Sequence, residues 1–162
     1  MSSPPLPGPR TFSRRTLLAV SAAGLAAAAA GCTSSPPEDA RNAVTSEQAD
    51  ELAAQVAVQE TLVRAYELAF EADPALAAAT PELADQAREQ LDRLQDAAPG
   101  STPEATPPPD LPPPGQGQAW LRAQVAVAAT SHATAALDQT GGRAALLGSV
   151  AAGLRGHEAR LA

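Results

Sequence analysis

The chain has a single cysteine, no lysine and very few aromatic residues. One cysteine cannot form an internal disulfide, so disulfide cross-links do not explain the fold. The sequence also lacks a G-x-S-x-G elbow, a Walker phosphate loop and an H-E-x-x-H zinc motif. These absences remove the common hydrolase, nucleotide-binding and metalloprotease classes. We therefore expect a protein that is not an enzyme.

Positive charge is scarce beyond residue 31. The 131 residues from Cys32 onward carry all 18 acidic residues but only eight of the 11 basic ones, a formal charge of −10. Such a chain repels nucleic acid and anionic lipid head groups alike. The composition thus predicts no nucleic-acid partner, and it favours a tether to the membrane over a helix lying flat on it.

The first 32 residues follow an ordered pattern of charge and hydrophobicity. Residues 1–15 carry three arginines and no acid, residues 16–30 are apolar, and Gly31 precedes Cys32. This order is typical of an export signal. As a helix the apolar run would measure about 22 Å, against about 30 Å for the hydrocarbon core of a bilayer. A true transmembrane anchor is therefore the less favoured alternative.

Two short motifs in this region resemble known signals. The run SRRTLL, which contains Arg14 and Arg15, resembles the twin-arginine export motif. The run AAGC resembles a bacterial lipobox, with Ala29 where leucine is usual and Cys32 at the acylated position. The resemblance implies acylation of Cys32 and attachment to the extracytoplasmic face of the cell membrane.

The remaining chain divides by composition. Residues 1–31 form the predicted signal peptide, residues 32–44 a flexible spacer, and residues 45–162 a helical domain. No segment of the domain has the period-two alternation of a strand, whereas apolar residues recur at helical spacing. We predict four helices, at about 46–72, 75–97, 118–139 and 143–161.

Local signals mark the predicted helix ends. Thr45 and Gln48 are spaced as a capping box, and Pro74 cannot continue the first helix. Thr80 followed by Pro81 marks a restart within the second, with Thr80 as the expected N-cap and Pro81 at the first helical position. Gly141 and Gly142 are expected to cap the third helix. The predicted core stripes include the following residues: Leu52, Val56, Gln59, Val63, Tyr66, Phe70, Leu76, Leu83, Ala87, Leu91, Leu94, Leu121, Val125, Ala128, His132, Ala135, Leu137, Leu146, Leu147, Val150, Leu154 and Leu161.

The segment 98–117 holds eight of the 16 prolines. As polyproline II it could extend up to about 60 Å, which exceeds the roughly 30–40 Å length of the predicted helices. The fold class predicted is all-α: a four-helix bundle with ferritin-like connectivity, in which one long Pro-rich crossover joins helices 2 and 3. A plain up-down bundle with a slack loop is the alternative. An alternative role for this segment is recognition of the proline run by a partner protein.

The layout as a whole is similar to a known group of proteins. A twin-arginine lipoprotein signal, an Ala-rich four-helix domain and the closing segment LLGSVAAGLRGHEARLA resemble ferritin-like lipoproteins of unknown function from actinobacteria. Metal-binding members of the wider ferritin-like class use single glutamates from two helices and Glu-x-x-His pairs from the other two. On this chain the six corresponding positions are Glu60, Ala87, Gln90, Gln124, Leu154 and His157.

Only Glu60 and His157 keep a metal-ligand type among those positions. Neutral amides do not compensate two hard cations as carboxylates do, so we expect the di-iron site to be lost and no cofactor to be bound. His132 and His157 lie about 9 Å apart in height, counted from the Gly141 turn, which is too far for one shared ion.

The expected function is a non-catalytic, membrane-tethered module of the cell envelope that is structural or binds an unknown envelope protein. Two alternatives stay open at this point. One is a metal-binding protein that uses Glu60 and His157. The other is a small-ligand carrier with an apolar cavity near Tyr66, Phe70 and Trp120.

Overall fold

The computed structural model describes residues 44–99 and 109–162. The predicted signal residues Arg14, Arg15 and Cys32 lie outside this part of the chain, as does most of the spacer. Every regular element in the two described ranges is a helix, which confirms the all-α prediction. The helices are α1 Ser46–Ala72, α2 Pro74–Ala79, α3 Pro81–Ala97, α4 Gly117–Asp138 and α5 Gly141–Arg160.

The start and end of α1 follow the sequence signals. The Thr45 hydroxyl accepts from the Gln48 backbone N–H at 3.2 Å, and the Gln48 side chain accepts from the Thr45 backbone N–H at 3.3 Å, which confirms the capping box. Asp73 then ends α1, and its carboxylate accepts two backbone N–H groups of α2 at 3.1 and 3.0 Å. Pro74 at the first position of α2 needs no N–H partner, so it begins a helix as well as ending one.

The second predicted helix is divided in two. α2 ends before Thr80, and Pro81 opens α3. The Thr80 hydroxyl donates to the Leu76 carbonyl at 3.0 Å and makes no capping bond to α3, so the expected threonine cap is absent while the expected proline is in place.

The expectation that Gly141 and Gly142 cap α4 is wrong. α4 ends at Asp138 with Gln139 as its C-cap, and Gly141 is the first residue of α5. Its φ of +56° lies in the left-handed region, where an L side chain would be strained. This glycine therefore belongs to the turn that begins α5 and is not the cap that ends α4.

Contacts between helix ends fix the helix directions. Gln139, after α4, donates to the Gln48 carbonyl near the start of α1 at 2.9 Å. Gln118, near the start of α4, donates to the Leu161 carbonyl after α5 at 3.2 Å. Glu82, in the first turn of α3, pairs with Arg160 in the last turn of α5. At one end of the bundle, therefore, lie the start of α3, the start of α4 and the end of α5. It follows that α3 and α4 run in the same direction.

The core between these helices is built mainly from leucine and alanine. α1 packs against α3 and α4, and α5 packs against α3 and α4. The largest fully buried apolar side chains are Tyr66, Leu52, Leu62, Leu83, Leu94, Leu121, Leu147, Leu154, Leu161 and Val56. The many buried alanines let the helices approach closely but bury little area each.

Leu137 departs from the predicted core. Its side chain is 83% exposed. The buried stripe of α4 runs through Ala128, His132 and Ala135 to Gln139 beyond the helix, at steps of three and four. Leu137 lies only two residues after Ala135, and two helical steps turn a side chain by about 200°, away from the core.

Two leucine truncations test this packing. Leu154→Ala should lower the free energy of unfolding by about 2–5 kcal/mol, because Leu154 is fully buried and its removal leaves a cavity. Leu137→Ala is the matched control and should change it by less than about 0.5 kcal/mol. Urea unfolding followed by circular dichroism measures both. Similar losses in the two variants would contradict the described helix rotation.

Candidate functional site in the helical interior

Two polar layers cross the interior of the helical unit. We name them by their histidines: the His132 layer comprises Gln59, Gln90 and His132, and the His157 layer comprises Tyr66, Gln86 and His157. Gln59 and Tyr66 are seven residues apart on α1 and so lie on one face, about 10 Å apart along the axis. Gln86 and Gln90 lie one turn apart on α3. Each layer thus joins α1 and α3 to a histidine from α4 or α5.

The His132 layer has one consistent pattern of donors. His132 Nε2 lies 3.0 Å from Gln59 Oε1, and this oxygen can only accept. Gln59 Nε2 donates to the Ala87 carbonyl at 2.9 Å and to Gln90 Oε1 at 3.3 Å. The His132 proton is therefore on Nε2. His132 Nδ1 keeps a bare lone pair, buried with no hydrogen-bond partner among the described residues.

The proton positions in the His157 layer follow from its hydrogen-bond partners in the same way. His157 Nε2 lies 2.9 Å from Gln86 Oε1, so Nε2 carries the proton and Nδ1 accepts. Nδ1 lies 2.9 Å from the Tyr66 hydroxyl, which is therefore the donor. The Tyr66 ring also packs edge-on against His157 and Phe70, with ring centroids 6.1 and 5.8 Å apart.

Burial keeps these groups neutral. It lowers the pKa of His132 to about 4, and burial together with the Arg160 charge lowers the pKa of His157. Burial raises the pKa of the Tyr66 hydroxyl well above its usual value. Near pH 7 both layers consist of uncharged imidazoles, amides and a phenol.

The candidate ligands Glu60 and His157 occupy different environments. The Glu60 side chain is exposed, and its carboxylate accepts from Gln95 Nε2 at 3.2 Å. His157 is 2% exposed and bonded inside the His157 layer. The residue of α1 that points inward at this level is Gln59, not its neighbour Glu60, since adjacent helical residues differ by about 100° in direction.

The other positions of the ferritin-like pattern also lie in different environments and do not form one site. Gln90 joins the His132 layer through Gln59, and Leu154 is a buried core residue. Gln124 is half-buried and belongs to neither layer. The sequence pattern placed Gln59, Tyr66 and His132 in the core but indicated no role for Gln86, which lies on the exposed side of α3 and reaches His157 with its side chain.

The donor set does not fit a two-metal carboxylate centre. No group of three or more His, Cys, Asp or Glu residues lies together within the described ranges. In both layers the histidine Nε2 carries a proton that a glutamine oxygen accepts, which leaves that nitrogen unable to bind a metal ion. The two layers contribute no carboxylate to balance a divalent charge.

Two clefts are found on the surface of the helical unit. One, of about 470 Å³, is lined by Asp73, Gly115, Gln116, Gln118, Ala119, Arg122, Leu161 and Ala162. The second, the α3–α5 groove, has a volume of about 260 Å³ and is lined by Gln86, Glu89, Gln90, Arg93, Ser149, Val150 and Gly153. Neither is lined by Tyr66, Phe70 or Trp120, the residues named for an apolar carrier cavity.

Comparison with known proteins returns no similarity: no protein-family model, curated protein or solved structure matches this chain. Within the described ranges, none of the helices combines the length and apolar character needed to cross a bilayer.

Acidification should destabilise the protein through His132. The pKa of His132 in the folded chain is about 4, below its ordinary value of 6.5. As pH falls from about 6.5 to 4, the unfolded chain gains a proton that the folded chain does not, so stability falls. The loss saturates below pH 4 at about 3 kcal/mol.

Urea unfolding at several pH values between 7.5 and 3.5 measures this loss. His132→Gln is the comparison variant, because its amide keeps an N–H donor for Gln59 and does not titrate. Its stability should fall less steeply than that of the wild type in this window, since only Glu82 and His157, whose pKa values are also lowered in the folded chain, still contribute. Identical pH dependence in the two proteins would exclude His132 as the source.

Proposed function

We propose that this chain is a non-catalytic helical lipoprotein of the cell envelope. It is held by Cys32 at the extracytoplasmic face of the cell membrane and acts as a structural or interaction module. The observation that supports the non-catalytic assignment is the neutral interior, where the two polar layers consist of glutamine amides, imidazoles and a phenol and contain no carboxylate.

Ferritin-like connectivity is part of the proposal. It is supported by the parallel directions of α3 and α4, because a chain that leaves α3 at one end must cross the bundle to enter α4 at the other. The proline content of residues 98–117 supports it further, since polyproline II spans that distance with few residues.

Anchoring by lipid is supported by the sequence order of Arg14, Arg15, the apolar run and Cys32. The charge distribution of the described helices agrees with it. Residues 46–97 carry 12 acidic residues and three arginines, whereas residues 117–162 carry two acidic residues and four arginines. The acidic half is repelled by anionic lipid, so a tethered domain would turn its α4–α5 half toward the membrane.

Labelling with radioactive palmitate tests the anchor directly. The full-length chain, expressed in a bacterium with a twin-arginine pathway, should incorporate palmitate and fractionate with membranes. Cys32→Ser should lose both properties, while the neighbouring control Ser34→Ala should keep them. Replacement of Arg14 and Arg15 by lysine should retain the precursor in the cytoplasm. Palmitate incorporation that persists in Cys32→Ser would contradict the proposal.

Metal analysis tests the non-catalytic assignment independently. Protein purified without chelator should contain no stoichiometric iron, manganese or zinc. A bound metal that is lost in both Glu60→Gln and His157→Gln would favour the metal-binding alternative instead.

A further inference from the structure

We infer that the α3–α5 groove binds a small zwitterion, a molecule that carries one carboxylate and one ammonium group, such as a free amino acid. This inference does not depend on the proposed lipid anchor. It rests on unused hydrogen-bond donors in the groove and on charged groups of both signs at its rim. It rests also on a glycine that leaves space for the side-chain amide of Gln90.

The donors come from the two polar layers. Gln86 Oε1 accepts from His157 Nε2, and Gln90 Oε1 accepts from Gln59 Nε2. Each glutamine therefore turns its oxygen inward, and its amide N–H groups have no acceptor among the described residues. Gln86 and Gln90 both line the groove, one helical turn or about 6 Å apart. Because buried partners hold the two oxygens, the two N–H groups are preorganised to bind an acceptor.

The rest of the lining carries charges of both signs. Arg93 adds a guanidinium donor, which is paired with Glu89 at 3.2 Å on the exposed surface of α3. Across the groove, the Ser149 hydroxyl donates to the Leu146 carbonyl at 2.7 Å, which leaves its lone pairs free to accept. A carboxylate would therefore be bound by Gln86, Gln90 and Arg93, and an ammonium group by Glu89 and Ser149.

The size and polarity of the groove restrict the ligand further. Its volume of about 260 Å³ lies below the range typical of drug-sized ligands, so it suits a molecule of amino-acid size. Arg93 and Glu89 pair with each other in the structure. An anion that draws Arg93 away would leave Glu89 without a partner. A cation that draws Glu89 away would leave Arg93 without a partner and would not use the glutamine N–H groups. Only a ligand with both charges satisfies the whole lining.

Gly153 keeps the groove open. A Cβ atom at this position would lie 2.7 Å from Gln90 Nε2, closer than a side-chain contact allows. The clash falls on the flexible end of Gln90, so alanine here would push the amide aside without preventing folding. Gly156, on the same helix, has nothing within 4 Å of its Cβ position and provides a matched control.

Titration of the full-length chain with L-glutamine, followed by the side-chain amide signals of Gln86 and Gln90 in 15N NMR spectra, tests the inference. Acetate and methylammonium serve as single-charge probes. We expect saturable shifts of both amide signals with L-glutamine, and an apparent Kd at least about tenfold weaker for either single-charge probe.

The glycine variants complete the experiment. Gly153→Ala should weaken L-glutamine binding about tenfold, because one charge-assisted hydrogen bond is lost, whereas Gly156→Ala should bind as the wild type does. Thermal unfolding of each variant verifies that it is folded. The inference is overturned if the amide signals do not shift, if acetate or methylammonium binds as tightly as L-glutamine, or if the two glycine variants behave alike.

Discussion

The interior of this protein depends on two buried histidines whose Nε2 protons are accepted by glutamine oxygens. A buried polar group without a partner is costly, so each histidine requires a neighbour on another helix. Gln59 meets this requirement for His132, and Gln86 meets it for His157. Because these bonds join α1 with α4 and α3 with α5, they also fix the rotation of four helices whose alanine-rich faces would otherwise permit several packings.

The same bonds determine what the interior can do chemically. An imidazole that donates through Nε2 retains only Nδ1 for metal binding, and in His157 the Tyr66 hydroxyl already donates to that atom. His132 Nδ1 is buried without a partner or a neighbouring carboxylate in the described layers. The network therefore stabilises a single arrangement of neutral groups in the interior.

The sequence predicted the helices well because their ends depend on local signals. The capping box at Thr45 and the break at Pro74 involve residues at most three apart. The polar layers depend instead on the rotation of each helix, and an error of one residue turns a side chain by about 100°. That error separates Glu60, which is exposed, from Gln59, which is buried. The partner of His157 was not predictable, because Gln86 lies about 90° from the centre of the apolar stripe through Leu83 and Ala87 and reaches inward only through its side-chain length.

The central claim is that both histidines are neutral and protonated on Nε2. A two-bond 1H–15N correlation spectrum of the histidine side chains at pH 7 tests it most directly, since the pattern of ring signals distinguishes the two neutral tautomers and the cation. The account predicts the Nε2-protonated pattern for both rings, with His132 unchanged down to about pH 5. A cationic ring, an Nδ1-protonated ring, or signals displaced by a bound metal at pH 7 would contradict it.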